Sequence, residues 1–275
     1  MKMKASCSVI LLLLAAFWPS FISCTTLVVN VKSQNGDVFQ EAISANHSDD
    51  WVSLEYMQPD ATHVTHLIDF KQELQVVHVV RLGEEELRQK PYQEMCFITK
   101  FLKEDYISSD AMTKLRQKNP WTVRTPEEDR GTEQLDMDLS LDVGAVGGLL
   151  SQHIPTLCST AQTTTFASSR DLKTWLNDRQ DVDSDWAAVS DASHQQPSRG
   201  VTSCSQLPSH QQLHYNSQQP CICQQEVCLW WYPCGLKFCR DRDDSGKSMS
   251  YRCGIRTCKK CRLYAFYAAS RGLCI

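Results

Sequence analysis

Ten of the chain's 14 cysteines crowd into residues 204–274, as Cys204, Cys221, Cys223, Cys228, Cys234, Cys239, Cys253, Cys258, Cys261 and Cys274. A density this high in a short stretch implies a disulfide scaffold or a metal cluster. The Cys253-x4-Cys258-x2-Cys261 spacing suits a tetrahedral zinc ion. Against zinc, no histidine follows Cys221, so a mixed Cys/His site has no imidazole to draw on. Spacing leaves the connectivity open, since eight cysteines alone allow about 105 pairings.

The N-terminus bears on that choice. Lys2 and Lys4 precede an apolar run at residues 9–18 (VILLLLAAFW), followed by Ser20, Ser23 and Cys24. This pattern predicts a secretory signal peptide over 1–24, cleaved after Ser23 or Cys24. A secreted chain meets an oxidising compartment, where disulfides persist. Removal of 1–24 leaves Cys96, Cys158 and the ten C-terminal cysteines, an even set. No other stretch is long and apolar enough for a membrane span, and nucleic acid is not an expected partner of a secreted protein.

Along the chain, β-strand signals dominate the first half. Residues 26–32 (TLVVNVK) and 38–43 flank Asn35-Gly36, a hairpin turn signature. Residues 51–57, 63–70, 74–82 and 95–102 read as further strands, the last carrying Cys96. Ser108-Ser109-Asp110 is placed to cap a helix running to about Lys118, before Asn119-Pro120. Leu135, Met137, Leu139, Leu141 and Val143 alternate with polar residues, which predicts one half-buried strand ended by 144–148. Residues 168–176 suit a short amphipathic helix, and 181–220 are too polar for a packed core.

Charge divides unevenly. Residues 205–275 hold ten Lys and Arg against four acids, whereas 25–204 hold sixteen against twenty-eight. Such asymmetry points to distinct partners or to attraction between the halves. Arg252, Arg256, Lys259, Lys260 and Arg262 are candidates for binding an anionic partner such as a sulfated glycan.

Catalytic patterns are missing: the sequence has no G-x-S-x-G, H-E-x-x-H or P-loop motif. Asp136, Asp138 and Asp142 read as the solvated face of a strand rather than an acid/base or calcium site. His63, His66 and His78 read as surface or edge residues. Asn46-His47-Ser48 is a glycosylation sequon in polar surroundings, which predicts an exposed loop and a modified Asn46. No enzyme and no cofactor are expected.

Four strings carry a family resemblance. Met95-Cys96-Phe97-Ile98-Thr99 followed by residues 111–120 (AMTKLRQKNP) resembles the out at first proteins, as do residues 231–239 (WYPCGLKFC) and 251–258 (YRCGIRTC). The chain is identified as a member of that secreted family, whose molecular activity is poorly defined. Cys228 and Cys261 are additional to the family's eight C-terminal cysteines, and a fifth bridge between them is the simplest reading.

The first half is similar to BRICHOS domains around Ile68-Asp69-Phe70 and around Cys96. That similarity implies an antiparallel sheet with flanking helices, a Cys96–Cys158 disulfide, and Asp69 as a candidate pH-sensitive residue. The expected architecture is therefore α+β: a signal peptide at 1–24, a BRICHOS-like domain at 25–165, a linker with a short helix at 166–203, and a disulfide-rich module at 204–275. The expected role is extracellular protein recognition, with chaperone-like binding by the first domain. The alternative is a signalling ligand that engages a cell-surface receptor or sulfated glycan through the second.

Overall fold

The computed structural model describes residues 25–269 and 274, except 34, 86–88, 178–186, 188, 192, 197–199, 207–219 and 243–246. The expected signal peptide lies outside the described residues. The protein is α+β and mostly β, with a disulfide-rich C-terminal region.

The chain begins with β1 (Thr25–Lys32) and β2 (Val38–Asn46), joined at a turn where Gly36 has φ 96°, a conformation that favours glycine. β3 (Trp51–Met57), β4 (His63–Asp69), β5 (Leu74–Leu82) and β6 (Tyr92–Lys100) follow as an antiparallel meander. Helix α1 (Ser109–Thr113) is capped by the Ser108 side chain, which accepts from the Ala111 N–H. It stops short of Lys118 because Arg116 Nη1 donates to the Thr113 and Leu115 carbonyls and closes the turn. Next come β7 (Val123–Arg124), β8 (Glu128–Met137), β9 (Leu139–Leu141), α2 (Val143–Leu150), α3 (Ile154–Leu157), β10 (Thr165–Ala167), α4 (Ser169–Asn177) and β11 (Ser193–Gln195). The C-terminal region is one long hairpin of β12 (Cys221–Arg242) and β13 (Ser248–Ala268).

Two sheets result. The larger has the order β11-β9-β10-β6-β5-β4-β3-β2-β1-β7, and the smaller β12-β13-β8. The alternating segment expected as one strand is cut at Asp138: β8 joins the small sheet and β9 the large one. Asp138 makes the break by accepting from the Ser169 N–H and hydroxyl, which also anchors α4. Residues 144–148 form part of α2 rather than a break. Asp142 caps that helix, accepting from the N–H groups of Gly144 and Ala145.

The large sheet is covered on both faces, which explains why β4 to β6 are apolar almost continuously. On one face Leu67, Val76, Cys96 and Ile98 pack under α2, α3 and α4, against Val146, Leu150, Ile154 and Trp175. The Cys96–Cys158 disulfide ties that layer to β6. On the other face Ile43, Leu54, Val77 and Phe97 pack against Trp231, Tyr232, Tyr264 and Phe266 of the hairpin. The Phe97 and Tyr264 rings stack at 4.3 Å between centroids and 6° between planes. The two halves thus share a core. Residues 166–203, expected as a linker, contribute most of β10, α4 and β11 to the large sheet and its helical cover.

Candidate interaction surface

β8 and β13 run parallel, and their opposite charges meet. Lys259 Nζ lies 3.1 Å from Asp129, and Lys260 Nζ lies 3.2 Å from Asp105 and 3.0 Å from Glu133. Arg262, buried at 3 % exposure, faces Glu133 at 3.7 Å, and Arg256 faces Glu128 at 3.9 Å. Four of the five cations expected to bind an external anion are therefore matched by carboxylates of the same chain. Only Arg252 has no carboxylate within ion-pairing distance among the described residues, although Asp110 of α1 is near enough to feel its charge. The uneven charge of the two halves is resolved by docking them together.

Beneath this ladder is a polar layer the sequence reading missed. Glu41 of β2 is fully buried, opposite Tyr56 of β3. It faces a bulge in β12, where Trp230 and Trp231 fall out of register with β13. The N–H groups of these tryptophans point toward its carboxylate without reaching hydrogen-bonding geometry. Burial dominates and pushes the Glu41 carboxyl up to about 8. His66 is buried rather than on the surface. It bonds Gln75 Oε1 at 3.0 Å and meets the Tyr106 ring edge-on. Burial, helped by the Arg262 charge, drops its pKa to about 3, so it is neutral. The parity signal for Glu41 was present, since Phe39, Glu41, Ile43 and Ala45 fall on one strand face.

Other expected sites fall as follows. Asp69 is buried at the end of β4, accepting from the Gln72 N–H at 3.0 Å and the Ser151 hydroxyl at 2.6 Å. Asn46 is buried rather than in an exposed loop. Its Nδ2, the atom a glycan would modify, donates to Asp49 at 3.0 Å while its Oδ1 accepts from the Asp49 N–H. Asp136, Asp138 and Asp142 are separated by the sheet switch, and two of them cap helices or strand ends. The C-terminal cysteines pair as Cys204–Cys221, Cys223–Cys274, Cys228–Cys261, Cys234–Cys258 and Cys239–Cys253. Two groups, Cys204/Cys223/Cys274 and Glu226/Cys228/Cys261, are close enough to hold a metal. Their cysteines are all disulfide-bonded, which leaves no thiolate for an ion. A cleft of about 420 Å³ with a mixed polar and apolar lining opens where the halves meet, bordered by Asp136, Asp138, Ser169, Arg170, Ile222 and Phe266 among others.

The hairpin outruns its support. Leu236 and Ile255 are the last of its residues packed against the core. Beyond them Lys237–Arg242 and 248–254 continue as paired strands, for roughly 17 Å at about 3.3 Å per residue. Phe238, Met249 and Tyr251 there are 62 %, 54 % and 49 % exposed. A two-stranded hairpin standing alone in water is marginal, and the Cys239–Cys253 disulfide braces this one. Among the described residues no helix is long and apolar enough to cross a membrane.

Comparison with known proteins places the chain. Residues 25–175 match the family model described as "Out at first", and residues 210–275 match "Out at first, C-terminal". An "Out at first protein" of Drosophila virilis is 40 % identical over 263 residues, covering 92 % of this chain and 83 % of that protein. Its namesake in Drosophila melanogaster is 39 % identical over 259 residues, covering 90 % of this chain. This chain spans 51 % of that longer relative. No solved structure matches. Two matched regions and two relatives at this identity establish that the chain belongs to the out at first family.

Proposed function

We propose that this chain is a secreted, non-enzymatic protein that recognises an extracellular or cell-surface protein through its C-terminal hairpin. The observation that carries the reading is the arm beyond Leu236 and Ile255, which holds apolar side chains in solvent and contributes nothing to the core. The N-terminal basic and apolar run supports secretion, as do six disulfides, which persist in oxidising compartments.

A BRICHOS-like reading of the N-terminal half is supported by the Cys96–Cys158 bridge between sheet and helices and by the buried Asp69. Chaperone-like strand pairing there meets two obstacles. Both faces of the large sheet are covered, and its edge strands β7 and β11 have only two and three residues. Recognition through the hairpin needs neither face nor edge. The test is to express the tagged full chain in cultured cells, recover it from the medium and measure binding to intact cells. Saturable, trypsin-sensitive binding is expected; retention inside the cell or linear uptake overturns the reading.

A further inference from the structure

The arm has two chemically distinct faces, and register assigns them. Residues opposed across an antiparallel pair share a face, and successive residues alternate. Phe238 opposes Arg252, Arg240 opposes Ser250 and Arg242 opposes Ser248. One face therefore carries Phe238 with three arginines, neighbours along β12 standing roughly 6.6 Å apart. The other face carries the Cys239–Cys253 bridge, Tyr251 opposite Cys239, and Met249 opposite Asp241.

We infer that the arm inserts into an acidic and apolar surface of a folded partner protein, with Arg240, Arg242 and Arg252 on its carboxylates and Phe238 in an apolar recess beside them. The inference rests on the recognition reading above and gives it a site and a partner chemistry. Arginine's planar fork pairs bidentately with carboxylates, and arginine, aromatics and methionine are the residues enriched in protein interfaces. Among the described residues Arg240, Arg242 and Arg252 are in no ion pair, whereas Arg256, Lys259, Lys260 and Arg262 are matched by acids of β8.

A sulfated glycan fits less well. A polyanion would use the arginines but leave Phe238, Met249 and Tyr251 in water. It would also be repelled by Asp241 on the opposite face. A protein surface can match such a mixed pattern group by group.

The test uses the tagged full chain on intact cells. A photoreactive phenylalanine analogue replaces Phe238, or Val38 of β2 as an exposed control. Two variants accompany it, R240E/R242E and F238S/Y251S, each checked against the wild-type thermal melt; all altered residues lie outside the core. Saturable binding is expected to fall about tenfold or more in both variants and to survive heparinase treatment of the cells. A protein crosslink is expected from position 238 and not from 38, competed by excess wild type but not by R240E/R242E.

Binding that both variants retain overturns the arm while leaving the recognition reading in place. Loss of binding after heparinase assigns the arginines to a glycan and overturns the protein partner. A crosslink only to a second copy of this chain also overturns it. Absence of saturable binding by wild type removes the recognition reading and this inference with it.

Discussion

Tyr56 donates its phenolic hydrogen to the carbonyl oxygen of Cys228 at 2.7 Å, a buried bond between residues 172 positions apart. It joins the third strand of the large sheet to the hairpin, beside Glu41 and the bulge at Trp230 and Trp231. Tyr56→Phe leaves that carbonyl without its partner and should cost about 1–3 kcal/mol. Because the halves share a core, urea unfolding followed by tryptophan fluorescence and by far-UV circular dichroism should give coincident midpoints, both shifted down in the variant. Two separated transitions would show that the halves unfold independently.

Glu41 and His66 make opposite contributions to the pH dependence of stability. The Glu41 carboxyl rises from 4.5 unfolded to about 8 folded, so between those values the folded state binds more protons and stability falls as pH rises. His66 drops from 6.5 to about 3, so there the folded state binds fewer protons and stability falls as pH falls. Glu41→Gln should remove the fall between pH 4.5 and about 8 and so raise stability at pH 8. His66→Gln should flatten the acid side between pH 6.5 and 3. Denaturation midpoints measured across pH 3–9 check both.

Lys260 sits between Asp105 at 3.2 Å and Glu133 at 3.0 Å, and Arg130 reaches the other Asp105 oxygen at 2.8 Å. Asp105→Asn leaves two half-buried cations short of a counter-charge and should destabilise by about 1–3 kcal/mol. A double-mutant cycle with Lys260→Met should return a favourable coupling that shrinks in high salt. Additive effects would mean the ladder is ornamental to stability.

Much of this was legible from the residues, and the failures have physical causes. The meander β1–β6 could be read from apolar runs and from Asn35-Gly36, because those signals are local. The sheet switch at Asp138 could not, since alternation through 135–143 is the same whether one sheet or two receives it. What divides the strand is a long-range bond to Ser169. The cations of β13 were visible, yet their meaning depended on β8, more than a hundred residues earlier, lying parallel beside them. Glu41 drew no notice in the sequence because carboxylates seldom tolerate full burial. Only the packed hairpin reveals its surroundings.

Two disulfides should behave differently on removal. Cys96–Cys158 closes a loop of sequence separation 62, for which chain entropy predicts a loss of about 4 kcal/mol. The double alanine variant at these positions should lower the global melting temperature. Cys239–Cys253 braces the arm outside the core. Its double alanine variant should leave that temperature nearly unchanged while speeding amide hydrogen exchange at 237–242 and 248–254. A comparable drop in global melting for both would mean the arm is coupled to the core.

The parallel pairing of β8 with β13 sets a timetable for biosynthesis. The strand that flanks β8 is made about 120 residues later, so at roughly 5–20 residues per second the nascent chain waits on the order of ten seconds for it. During that interval one face of the large sheet, with Ile43, Leu54, Val77 and Phe97, has no cover. A ribosome stalled before residue 221 would therefore hold a sticky, half-finished sandwich, a natural client for a holdase chaperone. The closing hairpin is the step that releases it.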